Sequence, residues 1–391
     1  MKTYPVKWFN ESMQGAGQTG DSSAGAMIAI LKACLVDGFG ALAPDALVWD
    51  ETENCAKATF SLGHAYLVDS VIACSGSTPA DYNGEHRVMK VTTTEMWFEL
   101  DTVPVANASG TLEIKIAPLG WTITHANGTN DKLIFQAAGD LGNVSLMIDN
   151  TAFTGWSGTY ARFMKVAMVE NVVDIDTYDT IYEHRWPATG RYSGHKWDLI
   201  GDNRILFFMP EYGAGLEQPC FYAGYIDTIR AGDRYHFIMN NVPSVDVNSN
   251  DYSVWSSITN YYIYYTSSVK NFTTEDKVLA RKYHQLEGVT GWMKSGLKTY
   301  NSDVMLAPNP VDNGFYINTD KSMIFESDSA YRGHMPIMVY PLANHSAYNR
   351  KNLQNLPEFP GKIFRMLMPT YDRRSDLSGG LTGFDISTVE V

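Results

Sequence analysis

The sequence predicts a mainly β protein. Antiparallel sandwich or small-barrel sheets are expected, with an N-terminal arm, one short N-terminal helix and one later helix. Three observations predict this. From about residue 54, apolar and polar residues alternate with the period of two that turns one strand face to a core. The alternating runs are separated by clusters of Gly, Pro, Asn and Asp that make turns. Aromatic residues reach 13%, with 23 Tyr and 9 Trp beside 32 Gly, and aromatic side chains suit pleated, half-buried surfaces.

Residues 1–22 read as an extended arm, because the run NESMQGAGQTGDSSAG is polar, rich in Gly and Ser, and without periodicity. A helix follows over residues 23–37. Asp21, Ser22 or Ser23 is placed to cap it, and Met27, Ile30, Leu31, Cys34 and Leu35 form one apolar stripe. Gly38 stands where a helix ends.

Five strands are then expected at AKATFSL, DSVIAC, HRVMKV, EMWFEL and TLEIKIA, between residues 56 and 117. Asn83–Gly84 is read as a tight turn between two of them, since both residues tolerate positive φ. Beyond Pro118 the pattern persists in NVSLMID, ARFMKVAMV, HKWDLIG, RILFFMP, CFYAGYI and RYHFIM. A polar loop over residues 240–253 is the best internal break, and the aromatic run NYYIYYTSS follows it. In TTEDKVLARKYHQLEG, Leu279, Tyr283 and Leu286 share a helical face between a Thr cap and Gly288, which predicts the later helix. The last hundred residues read as loops and edge strands wrapped over a sheet. The chain thus divides into an arm and helix (1–45), a small five-strand module (46–118), a sandwich-like domain (119–245) and a C-terminal β-rich segment with one helix (246–391), packed on the preceding domain.

Charge and motif content narrow the function. The net charge is −13 with no dense basic run, so nucleic acid, whose phosphates are bound through Lys and Arg, is not expected as a partner. No apolar run is long enough to span a bilayer, and the first residues lack the apolar core of a signal peptide. The four cysteines, Cys34, Cys55, Cys74 and Cys220, have neither the density of a disulfide framework nor the spacing of a zinc site, and they read as reduced, buried thiols.

The nine histidines are scattered. The stretch of residues 61–91 gathers His64, Asp69, Cys74, Asp81, Glu85 and His86, the residue types of a metal or acid–base site. Its turn and strand pattern reads instead as a strand–turn–strand module. Residues 246–251 match the first, third and fifth positions of a calcium loop but lack the Gly and the final Glu. Carboxylate pairs such as Asp174/Asp176 and Glu211/Glu217 exist, but nothing singles one out for glycosidase chemistry. No catalytic, cofactor or metal residue is therefore assigned. Trp156 and Tyr262 are the candidate glycan contacts, in aromatic runs that otherwise serve a core or an interface.

A resemblance carries the reading further. Residues 6–40, VKWFNESMQGAGQTGDSSAGAMIAILKACLVDGFG, resemble the start of a family of tailed-bacteriophage virion proteins, which open with a similar arm and a helix ending in LDACLVDGFG. Residues 61–91 are similar to a small β-module of phage structural proteins, matched at Gly63, His64, Gly76, Tyr82, Asn83, Gly84 and Val88. Ala65 and Val68–Asp69 depart from that pattern. Segments near residues 195–240, 331–349 and the ending GFDIS are similar to later parts of the family.

The resemblance implies a non-catalytic structural component made in the bacterial cytoplasm and built into the virion, without a cofactor. Its partners would be other virion proteins and copies of itself. The tail, baseplate or fibre-attachment region is expected ahead of capsid decoration, with host-glycan or receptor binding as a further alternative. On this reading Trp8, Phe9, Met27, Ile30, Leu31 and Leu35 make subunit contacts, and loss of residues 1–22 leaves a folded body.

Overall fold

The computed structural model describes residues 2–19, 25–151, 163–187, 196–211, 218, 220–240, 277–284, 289–294, 309–319, 321, 323–326, 330–342, 346–368 and 381–390. Of the described residues 47% are in strands and 6% are helical, and among them there are several antiparallel sheets and no closed barrel.

Period-two patterning builds the first sheet. Its seven strands lie in the order Phe39–Leu42, Glu113–Ile116, Val71–Ser75, Gly84–Val91, Glu95–Phe98, Cys55–Thr59 and Ala46–Asp50. All five strands expected between residues 56 and 117 are present, and the two at the sheet edges are additional. Thr122–Ala126, Lys132–Gln136, Ser145–Asp149, Phe163–Glu170 and Asp179–Pro187 then form a five-stranded meander in chain order. In Ser145–Asp149 not only Leu146 and Ile148 but also Met147 is buried. Met147 packs with Ile134, Ala167 and Val169 on the second face of this sheet, so both faces are covered.

The largest sheet has ten strands. Phe237–Asn240, Phe221–Tyr225 and Ile205–Pro210 lie side by side in its interior, and one edge is Trp197–Gly201 followed by Lys7–Asn10. A further sheet joins Ile317–Asn318, Met338–Pro341, Thr382–Asp385, Ile363–Leu367 and Lys351–Gln354. Lys2–Thr3 pairs with Val389–Glu390. One continuous apolar core runs from Val6 to Ile386 through most of these sheets.

Several expectations are corrected. Among the described residues the later helix is not formed: Lys277–Leu279 is a strand paired to Phe237–Asn240 on one side and Val289–Lys294 on the other. Pairing on both edges satisfies its backbone, and Val278 and Leu279 are both buried, so tertiary context overrides a short helical periodicity. The last hundred residues are not mere edge strands, since Thr382–Asp385 and Ile363–Leu367 lie inside their sheet with partners on both sides.

The arm, finally, is not free of the body. Lys7–Asn10 pairs with Trp197–Gly201 in register Trp8↔Ile200 and Phe9↔Leu199. Trp8, Phe9 and Met13 are buried, so a folded body without residues 1–22 is no longer expected.

The early helix is shorter than expected. Ala26–Lys32 is α-helical and Ala33–Asp37 widens into a π turn closed by Gly38 at φ 69°. The carbonyls of Cys34 and Leu35 point outward in that turn and accept the N–H groups of Leu119, Gly120 and Trp121 at 2.9–3.0 Å. External donors thus take over the role of the missing helical hydrogen bonds.

Candidate functional site

The stretch 61–91 was the sequence's densest collection of chemistry-bearing side chains, and the fold places it against the arm and the helix end. His64 sits in the turn after Cys55–Thr59. Its Nδ1 accepts the Tyr66 N–H at 3.2 Å, which leaves the proton on Nε2 to be donated to the Glu95 carbonyl at 3.1 Å. His86 is buried, donates Nε2–H to the Tyr82 carbonyl at 2.9 Å, and lies 5.1 Å from the Phe98 ring. Burial pushes the His86 pKa down, so it is neutral at pH 7.

Asn83 departs from the tight-turn expectation. Its backbone is extended, and its side chain bonds the Ser77 N–H and carbonyl at 2.9 and 2.8 Å. Only Gly84 of the pair takes a positive φ, 117°. All four cysteines are free and buried, and burial raises the Cys74 thiol to about 11, far from a reactive thiolate. Among the described residues, no group of three or more His, Cys, Asp or Glu is disposed to hold a metal ion.

Asp69 is the node of this region. It takes φ 65° and is buried. Its backbone carbonyl accepts Trp8 Nε1–H and Arg87 Nη1–H, both at 3.1 Å. Its carboxylate accepts Asn352 Nδ2–H at 3.0 Å and Gln354 Nε2–H at 2.7 Å. One residue therefore joins the arm, the seven-stranded sheet and the C-terminal sheet. Arg87, also buried, donates Nη2–H to the Ile386 carbonyl at 2.5 Å and lies 5.3 Å from the Tyr4 ring.

The arm is clamped along its length. Lys7 Nζ meets Glu85 at 2.6 Å and the Pro118 carbonyl at 2.5 Å. Burial lowers the Lys7 pKa, against the pull of Glu85. Gln14 and Ala65 exchange two hydrogen bonds, at 3.0 and 2.9 Å. Arg350 forks onto Glu11 at 2.9 and 2.5 Å and reaches Asp198 at 2.9 Å. The guanidinium of Arg365 lies 4.1 Å from the Trp8 ring.

At one point the backbones themselves touch. A Cβ on Gly40 would lie 1.9 Å from the Gln14 carbonyl, at φ 69°, and one on Gly15 would lie 2.5 Å from Gly40 Cα. Gly40→Ala is expected to destabilise the protein by about 1–3 kcal/mol through overpacking, with positive-φ strain added. A lowered urea midpoint checks this, and an unchanged midpoint contradicts it.

Met27, Ile30, Leu31 and Leu35, the helical stripe assigned to subunit contact, are buried in the chain's own core together with Trp8 and Phe9. The packing that the sequence assigned to a neighbouring subunit is made within the chain. Trp156, Tyr262, Glu217 and the calcium-like run at 246–251 lie outside the described residues. Asp174 caps an exposed turn, accepting the Asp176 N–H at 2.8 Å. Glu211 is buried and accepts the Lys196 N–H at 3.0 Å.

A second concentration of charge went unseen in the sequence. Arg332 is fully buried and donates to both oxygens of Asp233, at 2.5 and 2.8 Å, and to Glu326. Burial alone would raise the Asp233 carboxyl, but the Arg332 hydrogen bonds and charge outweigh it and hold it down. Alongside, Arg281 pairs with Glu170, and Asp227 pairs with Arg204 at 2.6 Å and His334 at 3.2 Å. These ties cross from the five-stranded meander to the ten-stranded sheet and between distant strands of the latter. Their partners lie up to 111 residues apart, a separation no local motif signals.

Buried titratable groups make stability depend on pH. His184 is fully buried, and burial, with the Arg185 charge beside it, pushes its pKa down to about 3. The unfolded chain binds that proton near pH 6.5, so this group's contribution falls as pH drops from about 6.5 towards 3. Glu11, Asp227 and Asp233 are net depressed by their arginine partners against the opposing effect of burial. Their contribution is present above the unfolded values near 4 and is lost as pH falls through the folded ones. Both effects have the same sign. The urea midpoint should fall steadily between pH 6.5 and 4, and His184→Gln should flatten the upper part of that slope. A midpoint independent of pH in this window contradicts the assignment.

No known family matches the sequence, and no curated protein matches it. Among solved structures, a chain described as phage phi92 endosialidase is similar at 8% identity with a TM-score of 0.14, over 100% of this chain and 54% of that one. This chain spans about half the length of that protein, and a likeness so slight carries no argument about fold or function.

Proposed function

We propose that the chain is a structural component of a tailed-bacteriophage virion, of the tail, baseplate or fibre-attachment region, acting by assembly with other virion proteins and with copies of itself, without catalysis. The observation that carries this reading is where the two phage-like segments sit. Residues 6–40 and 61–91, which bear the resemblance, interlock through Trp8–Asp69, Lys7–Glu85 and Gln14–Ala65, and through the Tyr66 hydroxyl, whose single proton is shared between the carbonyls of Ile114 at 2.7 Å and Gly40 at 2.9 Å. The resembling residues are thus the joint of the fold rather than a scatter of surface matches.

The side chains that would serve chemistry are engaged in the same joint: His64 and His86 with backbone carbonyls, Asp69 with two amides. A joint that ties together segments nearly 300 residues apart suits a part that must hold its shape under load. The test is an amber mutation in the gene of the encoding phage, grown with and without a suppressor host. The proposal expects particles without the chain to be incomplete or uninfectious. Intact, infectious particles lacking it would overturn the proposal.

A further inference from the structure

The outer face of the seven-stranded sheet carries a cleft of about 560 Å³ that the structural role does not use. Sheet register builds its floor. Trp97 is paired across to Lys57 on one side and Lys90 on the other, so the indole lies between two ammonium groups, 5.9 and 4.7 Å from its centre. Trp97 Nε1–H donates to Asp50 at 2.9 Å, which fixes the ring.

Around this floor the walls are mixed. Met89 and Val103 offer exposed apolar surface, 48% and 63% accessible. Glu53, Glu99 and Asp101 face Lys2 and Lys90, an excess of one carboxylate. Lys2 is held by Glu99 at 2.9 Å, and its backbone N–H by Asp101 at 3.0 Å. Lys90 is held only at the surface: it meets Glu53 at 2.5 Å with both side chains nearly half exposed, 50% and 41%. Exposed pairs of this kind contribute little and are readily exchanged for other partners.

We infer that this cleft binds a neutral saccharide. Trp97 is 6% exposed beneath the Lys90 ammonium; with Lys90 moved aside, its indole, bordered by aliphatic side chains, matches the C–H face of a pyranose ring, and the rim of carboxylates and ammonium groups matches its hydroxyls, which both donate and accept. The volume lies within the range of small-molecule sites, roughly 300–1,000 Å³. The excess carboxylate disfavours acidic sugars and phosphate-bearing ligands. Lys90 acts as a cover over the indole that swings aside on binding. The inference goes beyond the structural role, and either can fail without the other.

The test applies the full chain to an array of neutral gluco-, galacto- and manno-oligosaccharides beside uronate- and sialate-containing ones, followed by calorimetric titration of the hits. Neutral glycans are expected to bind. Asp101→Ala, at an exposed position, and Trp97→Leu should each lower affinity at least tenfold, while Lys90→Ala leaves it unchanged or raises it. Silence across the neutral glycans, preference for the acidic ones, or binding indifferent to both Asp101→Ala and Trp97→Leu would overturn the inference.

Discussion

Trp8→Ala is expected to destabilise the protein by about 3–5 kcal/mol, the usual cost of emptying a buried tryptophan site. Removal of residues 2–19 is expected to abolish folding altogether. Trp8 and its neighbour Phe9 are 5% and 1% exposed. Trp8 Nε1–H also satisfies the Asp69 carbonyl, and the Arg365 guanidinium rests on the ring. Truncation strips Trp197–Gly201 of its outer partner strand, leaves Asp69 without one of its bonds, and frees Arg350 from Glu11. Circular dichroism and urea unfolding of the two variants check this. A truncated chain with native unfolding behaviour would show the arm to be dispensable to the body, as its polar sequence suggests.

Asp233→Ala is expected to cost about 3–5 kcal/mol, because it leaves the Arg332 guanidinium buried with two of its four hydrogen bonds gone. Both side chains of the pair are inaccessible to solvent. The same principle predicts asymmetry: a double replacement, Asp233→Leu with Arg332→Met, should cost less than the single one, since the fully buried guanidinium leaves together with its carboxylate and only the partly exposed Glu326 loses an ion-pair partner. Urea unfolding of the single and double variants supplies the comparison. Equal losses would mean that the pair contributes packing rather than compensated charge.

Much of the sheet structure was legible because it is written locally. Ala56, Ala58 and Phe60, or Ile114 and Ile116, alternate with polar residues and are buried as that alternation requires. Phe39–Leu42 and Ala46–Asp50 escaped notice because Gly38, Gly40 and Pro44 make the segment read as a linker, and both strands lie at sheet edges where one side needs no partner. The arm misled for a related reason. Four strand residues, KWFN, are followed by a long polar, Gly-rich run, and the strand that orders them begins at Trp197.

The candidate cluster at 61–91 was read correctly as strand and turn, though not in the detail of Asn83. What the sequence hid was its purpose. The side-chain partners of Asp69 are Asn352 and Gln354, nearly 300 residues away, and Arg332 reaches Asp233, 99 residues away. Pairings over such distances are set by topology, and no spacing rule announces them.

The most direct test of the structural proposal is electron microscopy of the purified particle made by the phage encoding the chain. The account predicts this fold in symmetry-related copies in the tail, baseplate or fibre-attachment region, with the arm strand Lys7–Asn10 tucked into its own chain. Particles whose density and protein content lack the chain would contradict it.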